Sequence, residues 1–365
     1  MQSQRIERRG GAIERVARRA AAGVLGVAIA AGALGISAAA PASVRIQGAG
    51  ATFPAPLYEA WAAEYGQNHD VQVIYEAVGS GRGLERIRGR QVDFGASDAP
   101  LSAIELESAG LVQFPVIVGG VVPVINITGI RPGQLRMTGA VLADIYLGRI
   151  QRWNDASIAA LNPDIALPGA HITVVHRSDP SGSSLLWTDF LSRSSDLWRT
   201  AVGASLTPRW PTGIAGSGNE GVASYVQRTR FAIGYVEYYF AHDHHLSDVA
   251  VRNRSGVFVH AGHDTFRAAA DAASWTSIGS MGQLPSDALG PGSWPITGAS
   301  FILIDRRTPV PERMHELLRF FDWALHEGEP VARRLEYVPI PKAALEQLPA
   351  LWQSIRDPEG KPVWP

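Results

Sequence analysis

Short β-branched runs, broken by glycine-rich loops, alternate along this chain with stretches of helical periodicity. VRIQGAG (44–50), VQVIYEAV (71–78), VVPVINI (121–127), ITVVHRS (172–178), FAIGYVEYYF (231–240) and FILIDRR (301–307) predict strands. Several are apolar on both faces, as in a sheet covered on both sides. Between them, apolar spacing predicts helices over 57–67, 183–193, 219–228 and 311–327. Such alternation defines an α/β architecture. Neither a repeat with a period of roughly 20–50 residues nor a long flexible linker interrupts it. Two domains without a linker imply that the chain crosses between lobes through short hinge strands.

The first 42 residues break the pattern. Six arginines precede an Ala/Gly/Val/Leu run over 20–36, and small residues follow, the order of a secretory signal. The run is short and poor in Leu and Phe for an anchor, and nothing downstream resembles a second span. Of two small-x-small sites, cleavage after Ala40 would leave Pro41 at the new terminus. The mature chain is therefore expected to start at Ser43, released into the periplasm.

Composition then narrows the function. A length of 365 residues with 46% apolar content suits two domains with buried cores, and the chain has no cysteine, hence neither a lipid-anchoring thiol nor a disulfide framework. Loss of the leader removes six Arg and two Glu, moving the formal charge from −1 to −5. An anion site on an acidic protein must rest on local donors and helix N-termini rather than on a general positive field. No basic stripe with interleaved aromatics is present, which argues against nucleic acid as a partner.

Candidate chemistry sits where strands hand over to helices. GAGATFPAP offers close backbone approach, the Thr52 hydroxyl and Pro56 for a first helical turn. YEAVGSGRGLERI places Ser80 between two glycines at an expected N-cap. HRSDPSGSS combines Arg177, Asp179, Ser181, Gly182 and Ser183, a set suited to an oxyanion. Each loop alone also reads as a plain capped turn. A serine beside Arg and Asp raises a second possibility, a secreted phosphatase with a serine nucleophile. Such a serine needs an adjacent base, and His176, at a strand end, is expected to pack away. AHDHHLSD (241–248) holds a His-x-His and an Asp but lacks the wider spacing of a zinc site, and reads as a solvated loop.

Taken in order, GAGATFPAPLYEAWA, VDFGASDAPLS, QFPVIVGGVVPVIN, DIYLGRIQRWND, RSDPSGSS, FAIGYVEY, WPITGASFILI and FFDWA resemble the periplasmic phosphate-binding proteins of the PstS type, the solute receptors of phosphate ABC importers. The resemblance runs from about Gly48 to the C-terminus. It implies an α/β, two-lobed periplasmic binding protein fold (type II), each lobe a mixed sheet flanked by helices, with the ligand in the cleft between. Residues 43–125 and 298–365 would form lobe I, and 126–297 lobe II. The implied ligand contacts are Thr52, Phe53, Ser80, Asp98, Arg177, Ser181, Gly182 and Ser183, with Asp179 orienting Arg177. The implied activity is binding of inorganic phosphate and its delivery to the membrane permease subunits, by a monomer without catalysis, cofactor or metal.

Three positions depart from the family pattern: Arg82, expected to face solvent, Pro180 in place of a glycine, and Ser183 where threonine is common. Receptors for sulfate or molybdate are the nearest alternatives. Asp98 separates them, because a carboxylate facing an anion requires a proton that phosphate can bring. Its competing reading is a helix cap ahead of APLSAIELE.

Overall fold

The computed structural model describes residues 44–275 and 286–365; the leader and its cleavage site lie outside the described residues. Eight strands form the path of the main sheet: β1 (Val44–Gly50), β2 (Val71–Ala77), β3 (Phe94–Ser97), β4 (Leu111–Ile125), β5 (Thr173–Arg177), β6 (Ile214–Gly216), β7 (Ala232–Glu237) and β8 (Thr297–Asp305). Their spatial order is β2-β1-β3-β8-β4-β7-β5-β6. β1 runs parallel to β2 and β3, and β5 parallel to β7 and β6, while β8 is antiparallel to β3 and β4, and β4 to β7.

β4 belongs to both halves of this sheet. Its residues 111–120 pair with β8, and from Val121 to Ile125 the partner is β7. All 15 of its residues are buried, which explains the near-continuous apolar run. The ladder to β8 slips where Pro115 faces Phe301, with the irregularity between Ser300 and Phe301. Proline has no N–H for the ladder, so a bulge beside it is the expected relief.

Among the helices that pack against these strands are α1 (Ala55–Asn68), α2 (Ser80–Arg88), α3 (Gly182–Ser194), α4 (Gly218–Arg228) and α5 (Pro311–His326). Four of them match the predicted helices within two residues. The strands were harder to delimit. VVPVINI is only the end of β4, which starts at Leu111, and β8 starts four residues before FILIDRR. FAIGYVEYYF stops being strand at Glu237, whose carboxylate accepts from the Tyr239 amide at 2.9 Å and caps a helix over Tyr238–Asp243. A cap thus overrides the strand preference of three consecutive aromatics. Six fully buried tryptophans, Trp61, Trp153, Trp187, Trp198, Trp294 and Trp352, share one contiguous apolar core under both halves.

Candidate functional site

Four strand ends deliver the predicted site residues. After β1 the chain turns through Thr52 and Phe53 into α1, which has proline in its first turn. The Thr52 hydroxyl is buried, and the Phe53 carbonyl accepts from Tyr337 Oη at 2.7 Å. After β2, Gly79 and not Ser80 is the N-cap of α2, with φ of +93°, a region that favours glycine. Ser80 is the first helical residue, so its hydroxyl is free to reach across. After β3 comes Asp98. The helix that follows, Ala103–Ala109, is capped by Ser102 in a reciprocal box with Glu105, so Asp98 is not its cap. β5 ends on Arg177, and after it come Asp179 and Ser181, the N-cap of α3, whose Oγ accepts from the Ser184 amide at 3.1 Å.

These loops meet. Ser80 Oγ accepts from the Asp98 amide and from the Gly182 amide, each at 3.2 Å, and donates to Asp98 Oδ2 at 3.4 Å. A side chain at Gly182 would put its Cβ 2.5 Å from Asp98 Cβ, so only glycine fits. A Cβ at Gly79 would likewise lie 2.5 Å from Asp179 Oδ2. Arg177, with its side chain 1% exposed, holds Asp179 through Nε at 2.9 Å and through Nη2. Asp179 Oδ1 also accepts from the Gly218 amide at 3.0 Å. Ser183 Oγ and Asp98 Oδ1 are buried with no hydrogen-bond partner among the described residues. Such orphaned groups are costly in a folded protein unless water or a ligand completes the bonding. Arg82 is exposed.

The electrostatics are not those of a basic pocket. Burial pushes the Asp98 carboxyl up to about 7, against the opposing pull of the Ser300 hydroxyl, the Arg177 charge and the Ser80 hydroxyl. Burial also raises Glu237, far above the carboxylate range. For Asp179 burial acts in the same direction, but the hydrogen bond and charge of Arg177 outweigh it and hold the group below its ordinary value. One guanidinium thus stands among two buried carboxyls, Asp98 and Glu237, and the half-buried Asp179. What could hold an anion beside that guanidinium is the set of hydroxyls and amides at the N-termini of α1, α2 and α3.

His176 is stacked on Trp210, ring centroids 4.9 Å apart, with Nδ1 3.0 Å from the Arg177 carbonyl. The Ser80, Ser181 and Ser184 hydroxyls bond instead to Asp98, to backbone amides and, for Ser184, to Tyr235 at 2.7 Å. AHDHHLSD is not the solvated loop expected: it runs from the end of the Tyr238–Asp243 helix through a turn into a short strand, Ser247–Asp248, paired with β4, with Leu246 and Asp248 buried, and in it His244 pairs with Glu220 at 2.9 Å. Sequence reasoning missed the residues that arrive from a distance: Asn219, Glu237, Ser300, Tyr235 and Tyr337. The one signal available was the Gly218-Asn219 pair at the start of a predicted helix.

Two sheet halves sharing one long strand, with strand-end loops of both closing on a buried polar cluster, define the class of two-lobed solute-binding proteins. The sequence pattern of the PBP superfamily domain matches residues 37–327. The chain is 44% identical over 320 residues to the phosphate-binding protein PstS of Pasteurella multocida, covering 87% of this chain and 93% of that one. It is 44% identical over 309 residues to PstS of Haemophilus influenzae, covering 85% and 92%. Among solved structures, a high-affinity periplasmic phosphate-binding protein, PfluDING, bound with phosphate, is similar with a TM-score of 0.66 at 20% identity, covering 84% of this chain and 93% of that one. A phosphate-binding protein from Stenotrophomonas maltophilia gives 0.63 at 18%, covering 84% and 93%. The chain belongs to the PBP superfamily and, within it, to the PstS family of phosphate-binding proteins.

Proposed function

We propose that the protein is a periplasmic receptor that closes over one inorganic phosphate and presents it to the permease of an ABC importer. The observation that carries this reading is Asp98: a fully buried carboxylate, one oxygen unpartnered, set among hydrogen-bond donors. Facing an anion, it is tolerable only if a proton lies between the two. Monohydrogen and dihydrogen phosphate carry that proton, whereas sulfate at neutral pH does not. The donors complementing the other phosphate oxygens are the Thr52, Ser181 and Ser183 hydroxyls, the Phe53 amide and the edge of Arg177 that Asp179 leaves uncommitted, joined by the Ser80 hydroxyl and the Gly182 amide when these exchange their bonds to Asp98 and to each other for the ligand. The receptor binds without catalysis, in keeping with relatives named as binding proteins, and acts as a monomer.

Residues 43–125 with 298–365 act as one lobe and 126–297 as the other. The change of partner along β4 at Val121 and the start of β8 at Thr297 support that division, and a cleft between lobes suits a receptor that must close and reopen. The arginine-led, apolar leader supports export with cleavage after Ala42.

Calorimetric titration of the wild type and of Asp98→Asn with phosphate and with sulfate tests the reading. A site that demands a ligand hydroxyl discriminates by about 10⁴–10⁵. The wild type should therefore bind phosphate and ignore sulfate, and the variant should lose most of that preference. Equal binding of the two anions by the wild type overturns the proposal.

A further inference from the structure

The start of α4 has a capping residue that does not cap. Ser217 makes no side-chain bond to the helix, and the leading amides are taken by residues of the site instead. The Gly218 amide donates to Asp179, and the Asn219 amide to Thr52 Oγ1 at 3.3 Å. Asn219 itself is fully buried. Its Nδ2 donates to the same Thr52 Oγ1 at 2.9 Å, and its Oδ1 accepts from the Glu237 amide at 3.0 Å.

This network has one consistent polarity. The Glu237 backbone N–H can only donate, so the oxygen of the Asn219 side chain must face it and the NH₂ must face Thr52. A hydroxyl has two acceptor lone pairs and a single proton. Both acceptor positions of Thr52 are filled by Asn219, once from its backbone and once from its side chain. The Thr52 proton must therefore point away from α4. Thr52 also follows β1, in one half of the sheet, whereas Asn219 follows β6 and is braced on the end of β7, in the other. The pair of bonds exists only while the two halves are together.

We propose that Asn219 is a positioning residue for phosphate: it fixes the Thr52 hydroxyl as an obligate donor to the anion and couples that donor to closure of the cleft. The inference rests on the phosphate reading and deepens it. Without Asn219, the Thr52 hydroxyl can rotate and spend its proton on a neighbouring carbonyl or water, and closure loses a buried bond between the halves. In its mechanical part the residue acts on the escape of phosphate more than on its capture, since the latch forms after the ligand has entered.

A double-mutant cycle on the mature protein, titrated with inorganic phosphate, separates this role from a merely structural one. Thr52→Val and Asn219→Ala are each expected to weaken binding roughly 10-fold, the loss of one good hydrogen bond to an anion. In the Thr52→Val background Asn219→Ala should cost less than about 2-fold, because the hydroxyl it orients is gone. Asn219→Asp keeps the acceptor for Glu237, and so the local fold, while turning a charged acceptor toward Thr52 and the anion, and should weaken binding more than Asn219→Ala does. Fold losses that multiply in the double variants overturn the positioning role and leave the phosphate reading standing. A folded wild type that binds no phosphate overturns both.

Discussion

Removing the charge of Asp98 should stabilise the ligand-free protein, and do so only at high pH. The folded state holds this carboxyl near 7, against an ordinary 3.8. Between those values the folded protein keeps a proton that the unfolded chain has released, so the unfolded state binds fewer protons and stability falls as pH rises. A difference of about three units, at 1.36 kcal/mol each, amounts to about 4 kcal/mol once the group is fully ionised above pH ~7. Asp98→Asn has nearly the same shape and nothing to ionise, so that penalty disappears. Allowing for imperfect partners of the new amide, we expect the variant to match the wild type within about 1 kcal/mol near pH 5 and to exceed it by roughly 2–4 kcal/mol near pH 8. Urea denaturation of phosphate-free protein across that range measures the gap directly, and phosphate must be removed because a ligand that binds only the folded state masks it. A gap that stays constant with pH, or narrows as pH rises, refutes the assignment of a buried, proton-holding Asp98.

The same geometry fixes the response of the cradle's cation, and the leader fixes the mass of the exported chain. Arg177→Ala removes a buried cation from around a dianion, a change that typically costs ~2–5 kcal/mol, so phosphate affinity should fall at least about 30-fold, with lysine rescuing only partly for want of a planar fork; unchanged affinity in a folded variant by calorimetry would remove the 177–184 loop from the cradle. Exported protein should have the intact mass of residues 43–365, and recovery of a full-length, membrane-bound form would refute cleavage at Ala42.

The chain alone determined what depends on neighbours in sequence. The periods of apolar residues placed α1, α3, α4 and α5 to within two residues, because a helix buries one stripe whatever it packs against. The strand-to-helix loops were legible for a similar reason. Their glycines, hydroxyls and the Arg177–Asp179 pair, two residues apart, carry local conformational and chemical requirements that can be read in place. What the sequence could not decide was everything set by meetings across the sheet. That Ser80 and not a cap partner receives the Gly182 amide depends on contacts 102 residues apart. That Asn219 orients Thr52 depends on a separation of 167, and the Tyr337 bond to the Phe53 carbonyl on one of 284. The end of β7 was misjudged because YVEYYF favours a strand by local propensity, while Glu237, buried beside the Tyr337 hydroxyl at 3.2 Å, turns its carboxylate onto the next helix. Hydrogen bonds are directional and short, so which donors converge, and which hydroxyl has its proton left over for a ligand, is settled only when the folded sheet brings distant loops within about 3 Å of one another.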